Sequence, residues 1–143
     1  MTQSLRSKLV QVALEWQDLY GVAPQITSVV SEYDAAMLVG MPEKDYSKYM
    51  EDKTAVSKGA DFVFDRKRFQ VKGSRPSGKP GSFVTKVAQA TNYDWDYLIW
   101  ILYNKEYVRQ EAWMWDVDEY KNQFDEKKRL SPDDYRRGSK LSM

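Results

Sequence analysis

Histidine and cysteine are both absent from this 143-residue chain. Their absence excludes a Ser-His-Asp triad, a thiol nucleophile, a zinc site of imidazole or thiolate ligands, and any hydrolase whose general base is histidine. Chemistry has to run on carboxylates, lysine, tyrosine or a hard metal ion held by oxygen. An apolar run long enough to span a bilayer is also missing, and the chain as given does not open on a basic-then-apolar leader. A cytoplasmic protein with no membrane partner is therefore expected. Net charge is nearly missing too, at +1, but the balance hides an asymmetry. From Lys58 to Lys86 the basic residues are Lys58, Arg66, Lys67, Arg68, Lys72, Arg75, Lys79 and Lys86, opposed only by Asp61 and Asp65. Acid dominates Trp113 to Glu126 instead, so the first stretch is locally basic, as suits a surface that meets a phosphate backbone.

The length and an apolar content of 42% predict one globular domain over residues 1–143. Leu5, Leu9, Val12, Trp16 and Leu19 form one helical stripe after a capping Ser4, and Gly21 stops the helix; a packing helix over 4–20 is expected. A second helix runs from Thr27 or Ser28 to Val39, with Val29, Tyr33, Ala36, Met37 and Gly40 as its buried side. Glu32 falls inside that apolar arc, where a carboxylate needs a partner, whereas Ser31 and Asp34 fall outside it. Met41 to Tyr49 has room for a short helical turn.

Gly59-Ala60-Asp61-Phe62-Val63-Phe64 and Arg68-Phe69-Gln70-Val71-Lys72-Gly73 read as two strands of a hairpin with Arg66 and Lys67 at its tip. Alternation puts Gln70 and Lys72 on one face and Phe69 and Val71 on the other. Pairing Phe64 with Phe69 sets Asp61 opposite Lys72, so an acid, an amide oxygen and an amine share a polar face. A magnesium ion needs only one or two carboxylates plus a carbonyl and a substrate phosphate, which makes Asp61 the principal candidate ligand and Gln70 a ligand through its amide oxygen. Lys72 is placed to orient a metal-activated water or to stabilise the transition state. The loop Ser74-Arg75-Pro76-Ser77-Gly78-Lys79-Pro80-Gly81-Ser82 follows directly, so Arg75, Ser77 and Lys79, with Arg66 and Lys67, are candidate nucleic-acid contacts.

Asp96 to Tyr103 is a nearly continuous apolar run, expected to be a central strand covered on both faces, and Tyr107 to Asp116 should pair back against it. Ala112, Met114 and Val108 share one face of that partner. Trp113 and Trp115 share the other, where either a helix covers them or they form an association surface. Asp116 or Asp118 starts a helix through Tyr120 and Phe124, and Ser131-Pro132-Asp133-Asp134 starts a short last one. The tail Arg136-Arg137-Gly138-Ser139-Lys140 reads as basic and mobile.

A helix acid at Glu32, Asp61 opening a strand after Gly-Ala, and Gln70-Val71-Lys72 in its partner together resemble the PD-(D/E)XK, restriction-endonuclease-like, nuclease superfamily over residues 28–116. The resemblance implies an α/β fold, a small central mixed β-sheet flanked by helices, with residues 117–143 as C-terminal helices and tail. It matches Glu32 to the helix acid, Asp61 to the invariant aspartate, Gln70 to the variable acid and Lys72 to the lysine. These residues would surround one or two Mg2+ ions, with Mn2+ as a substitute. Ala60 stands where the superfamily has proline, and Gln70 where it has an acid. The activity implied is hydrolysis of double-stranded DNA in a restriction, homing or repair setting, with a homodimer or higher assembly needed to cut both strands and Trp113/Trp115 as a candidate interface. The alternatives are a nucleic-acid-binding protein of this fold without catalysis, and an interaction subunit of a defence or mobile-element system working through its tryptophan face.

Overall fold

A computed structural model describes residues 3–53 and 60–143; Lys58 and Gly59, named above, lie outside them. Among the described residues the chain is α/β. The helices α1 (Leu5–Tyr20), α2 (Thr27–Leu38) and α3 (Glu43–Asp52) come first. The strands β1 (Phe62–Phe64), β2 (Lys67–Ser74), β3 (Tyr97–Tyr103) and β4 (Arg109–Asp116) follow, then α4 (Val117–Phe124), α5 (Pro132–Tyr135) and β5 (Ser139–Lys140). The five strands form one mixed sheet in chain order, with β2 and β3 parallel and every other neighbouring pair antiparallel. No helix among the described residues is long and apolar enough to cross a membrane.

Helix ends follow local chemistry. Ser4 accepts a hydrogen bond from the Ser7 N–H at the start of α1, and Gly21 ends it in the left-handed conformation at φ 87°. The Asp116 side chain accepts from the N–H groups of Asp118 and Glu119, and Ser131 with Asp134 closes a capping box on α5. The segment after Pro42 makes a full helix, α3, with Glu43 and Asp45 in its first turn, where acids favour the helix dipole.

β3 is covered on both faces, as its apolar run demands. Ile99, Ile101 and Tyr103 join Val30, Ala35, Phe62, Phe69 and Val71 in one core, while Leu98 and Trp100 join Trp95, Trp115, Tyr120, Phe124 and Tyr135 in a second. Trp115 is thus buried rather than an association surface. α4 covers it, its indole N–H donates to the Tyr135 carbonyl at 3.0 Å, and Gly138 passes so close that a Cβ there would lie 2.6 Å from its Nε1. Trp113 is half-buried, with its N–H on Glu111 and Lys140 over its ring. Val108 is exposed. Nor is the C-terminal segment a loose tail: Ser139 and Lys140 pair with β4, and Arg136 bridges Glu111 at 2.6 Å and Asp133 at 2.9 Å.

Two helix faces differ from their sequence reading. The α1 stripe faces outward, with Leu5 81%, Val12 57%, Trp16 51% and Leu19 73% exposed, while Val10 and Ala13 are the residues it buries. On α2 the buried set is Val30, Ser31, Asp34, Ala35 and Ala36, so of the expected face only Ala36 is fully buried and Val29 is exposed. The reason is long-range. Gly73 of β2 sits against Ser31, where a Cβ would come within 2.7 Å of the serine side chain, so α2 lies directly on the strand through two small residues. Asp34 is buried because it has partners: Arg6 holds it through two hydrogen bonds at 2.6 and 2.7 Å, and the Tyr103 hydroxyl donates to it at 2.6 Å.

Candidate active site

β1 is three residues long and pairs only with Lys67–Phe69, so the remaining half of β2 has no β1 partner beside it. The hairpin register differs by two residues from the expected one. Phe64 pairs with Lys67 and Phe62 with Phe69, and Asp65 and Arg66 form a two-residue tip at φ 52° and 65°. Both central residues of a type I′ turn need positive φ, which glycine or asparagine would signal and Asp-Arg does not. Asp61 consequently stands level with Gln70, not Lys72. Its backbone N–H extends the ladder to the Phe69 carbonyl at 2.7 Å, and its Oδ2 accepts the Val71 N–H at 2.7 Å, replacing the strand partner that β2 lacks at that point. A carboxylate has about four acceptor positions, so the bond from Val71 leaves Asp61 able to bind further groups.

Along β2 the alternation holds: Phe69 and Val71 are buried, and Gln70 and Lys72 are half-buried on the opposite face. These two, with Asp61 and Glu32, line a single cleft of about 790 Å³, whose mouth also takes Ser77 and Lys79. The contact between Ser31 and Gly73 brings Glu32 there by fixing α2 on β2. Burial pushes the Glu32 carboxyl up to about 7, the Asp61 carboxylate and a hydrogen bond with it add to the rise, and Lys53 opposes it. Glu32 is thus held beside Asp61 on the same wall of the cleft.

Lys53, at the end of α3, was not apparent in the sequence. Its amine donates to the Asp61 carbonyl at 2.9 Å and is a counter-charge for Glu32. Tyr46 of the same helix feels both acids: burial first, then Glu32 and Asp61, raise its hydroxyl to about 12. No local pattern marks α3 as part of the site, because only its packing beside β1 brings it there.

The basic residues divide. Lys72 and Lys79 line the cleft. Arg75 lines it too, but its guanidinium is engaged within the protein, donating to the Lys105 carbonyl and to Gln17 Oε1 at 2.8 Å and lying 4.3 Å over the Tyr107 ring. Arg75 therefore anchors the loop through its Nε and Nη2 groups, while its charge, met among the described residues only by neutral partners, stays beside the cleft. Gln17 completes the anchor by donating to the Ser77 carbonyl at 2.9 Å. Arg66 and Lys67, at the exposed hairpin tip, do not line the cleft.

No protein-family model matches this chain, and no curated protein matches it significantly. The site is accordingly read from its own chemistry: two carboxylates, an amide oxygen and an amine around one cleft with a basic mouth. Among the described residues no group of three or more acids is arranged to hold a metal ion by itself.

The raised Glu32 pKa has a measurable consequence for the metal-free protein. The folded state holds the Glu32 proton more tightly than the unfolded chain, so this stabilisation is complete below the ordinary 4.5 and is lost as pH rises through about 7. Discounted for partial exposure, the loss should be on the order of 1–2 kcal/mol. Urea melts in EDTA should show stability falling from pH 5 to pH 8 in wild type and a flatter profile in Glu32→Gln. Parallel profiles would remove Glu32 as the cause.

Proposed function

We propose that this chain is a cytoplasmic, divalent-metal-dependent DNA endonuclease of the PD-(D/E)XK type. One observation carries the reading: Glu32 from α2, Asp61 from the start of the hairpin, and Gln70 and Lys72 from β2 line one cleft. The donor set suits a hard cation, because every candidate ligand atom is oxygen and the half-buried Glu32 and Asp61 carboxyls would both gain from a shared positive charge. Gln70 contributes a neutral oxygen. Magnesium, or manganese in its place, would supply charge stabilisation at the phosphate and a more acidic bound water.

Lys72 adds a fixed positive charge beside Gln70, in reach of a phosphate oxygen or the attacking water. Ser77 and Lys79 at the cleft mouth meet neighbouring phosphates, contacts that position the duplex without reading its sequence. The water oxygen gives up a proton and bonds to phosphorus as the bond to the leaving sugar oxygen breaks, and that oxygen departs with a proton from solvent, so that the two transfers balance. Restriction, homing and repair enzymes share this chemistry and differ in base contacts.

A second reading, a DNA-binding protein of this fold without cleavage, is favoured by Gln70 standing where an acid would add charge to the site. One assay separates the two. Supercoiled plasmid with Mg2+ or Mn2+ should be cut by wild type and left intact by Asp61→Asn. Salt-sensitive binding with no cutting by wild type under either metal would support the second reading and end the first.

A further inference from the structure

The outward stripe of α1 is not scattered. Leu5, Leu9, Val12, Trp16 and Leu19 recur at intervals of four, three, four and three, the a/d spacing of a coiled-coil seam, and the helix packs its own domain through a different face, at Val10 and Ala13. The seam continues into a mostly apolar groove of about 760 Å³ between α1, α2 and α3, lined by Leu5, Leu9, Val29 and Met50. Such a contiguous apolar surface marks an interaction site.

The charges beside the seam point to its occupant. Lys8 and Glu15 each directly precede a seam residue, Leu9 and Trp16, and so both flank the same edge, the one opposite that apolar groove. In an antiparallel pairing that sets Leu9 against Val12 and Leu5 against Trp16 of a second copy, Lys8 meets Glu15 of that copy and Glu15 meets its Lys8. A parallel pairing would match them with Ala13 and Tyr20 instead. The surface is thus complementary to itself in one orientation, as a two-fold interface requires. The same register brings Trp16 of the second copy level with Leu5, beside the apolar groove.

We propose that α1 is a self-association surface, through which two copies pair their α1 helices antiparallel about a two-fold axis. The inference stands apart from the nuclease reading. It does bear on it: Gly21 and Val22, which follow α1, line the candidate cleft, so the two clefts would lie at opposite ends of the helix pair, about 30 Å apart along its axis.

Sedimentation equilibrium on the full chain, without DNA or metal, tests this. Wild type should have about twice the 16.8 kDa chain mass at about 100 µM. Val12→Glu, at an exposed position, should be monomeric with an unchanged circular dichroism spectrum. At low salt Lys8→Glu and Glu15→Lys should each weaken self-association by roughly ten-fold, whereas their equimolar mixture should associate at least as tightly as wild type, because every altered charge then meets its opposite. A monomeric wild type leaves the seam to a different protein's helix and overturns the proposal. So does a dimer that survives Val12→Glu, or a mixture no tighter than either variant alone.

Discussion

Lys72→Met should reduce metal-dependent DNA cleavage by about 10²–10³-fold, the usual cost of removing one charge-stabilising donor from a preorganised site. The methionine keeps the length and much of the volume of the lysine stem, so the fold should be unperturbed. Lys72 is half-buried on β2, level with Trp100 of the central strand, a rigid position that would suit the role proposed for its amine. A donor held on a strand is placed more firmly than one on a loop. Lys79→Met, in the exposed loop, should behave differently, weakening DNA binding modestly and flattening its salt dependence by about one phosphate contact. Single-turnover cleavage, with melting temperature as the control, separates the two residues. Near wild-type turnover in Lys72→Met would leave that amine without a catalytic role.

Asp34→Ala should destabilise the protein by about 3–5 kcal/mol, the typical cost of breaking a buried ion pair by removing one partner. Asp34 is 1% exposed and joins three elements: α2 through its own backbone, α1 through Arg6, and β3 through Tyr103. Arg6 also donates to the Tyr107 carbonyl at 3.1 Å, tying α1 to the turn between β3 and β4. Its guanidinium is held above its ordinary pKa chiefly by the hydrogen bond to Asp34, and burial of the Tyr103 hydroxyl beside Asp34 raises that group as well. Truncation leaves a half-buried guanidinium and a buried hydroxyl without their acceptor, and both must be re-solvated or left unsatisfied. Arg6→Met should cost less, since Arg6 keeps part of its surface in water. Urea denaturation measures both; a loss under about 1 kcal/mol for Asp34→Ala would mean that the network adds little to stability.

Much of the architecture is legible because it is local. Ser4, Gly21, Asp116 and the Ser131–Asp134 box mark helix ends through side chains within a few residues of the groups they cap. The buried strand from Tyr97 to Tyr103 announces itself by an unbroken apolar run. Alternation along β2 places Gln70 and Lys72 on one face without knowledge of what lies beyond.

What misleads depends on partners distant in sequence. Asp34 reads as a solvent residue until Arg6 and Tyr103 stand beside it, and Ser31 reads as polar surface until Gly73 needs a small neighbour. The α1 stripe has a strong helical period, but a period says which residues share a face and not whether that face meets the same chain. The hairpin register slips because Asp65-Arg66 adopts positive φ without glycine or asparagine to signal it. Lys53 is brought beside Asp61 only by the packing of α3 near β1. Arg75 adds a structural part that the basic loop alone does not show, with its guanidinium donating to the Lys105 carbonyl and Gln17 and lying over Tyr107.

That Glu32, Asp61 and Gln70 form one cation site is tested most directly by titrating the metal-free protein with Mn2+ and counting bound ions by electron paramagnetic resonance. Wild type should bind one or two ions per chain in competition with Mg2+. Asp61→Asn and Glu32→Gln should each weaken binding by an order of magnitude or more while keeping the wild-type fold, and Lys72→Met should leave it intact. A wild-type protein that binds no Mn2+, or equal binding in Asp61→Asn, would contradict the shared site.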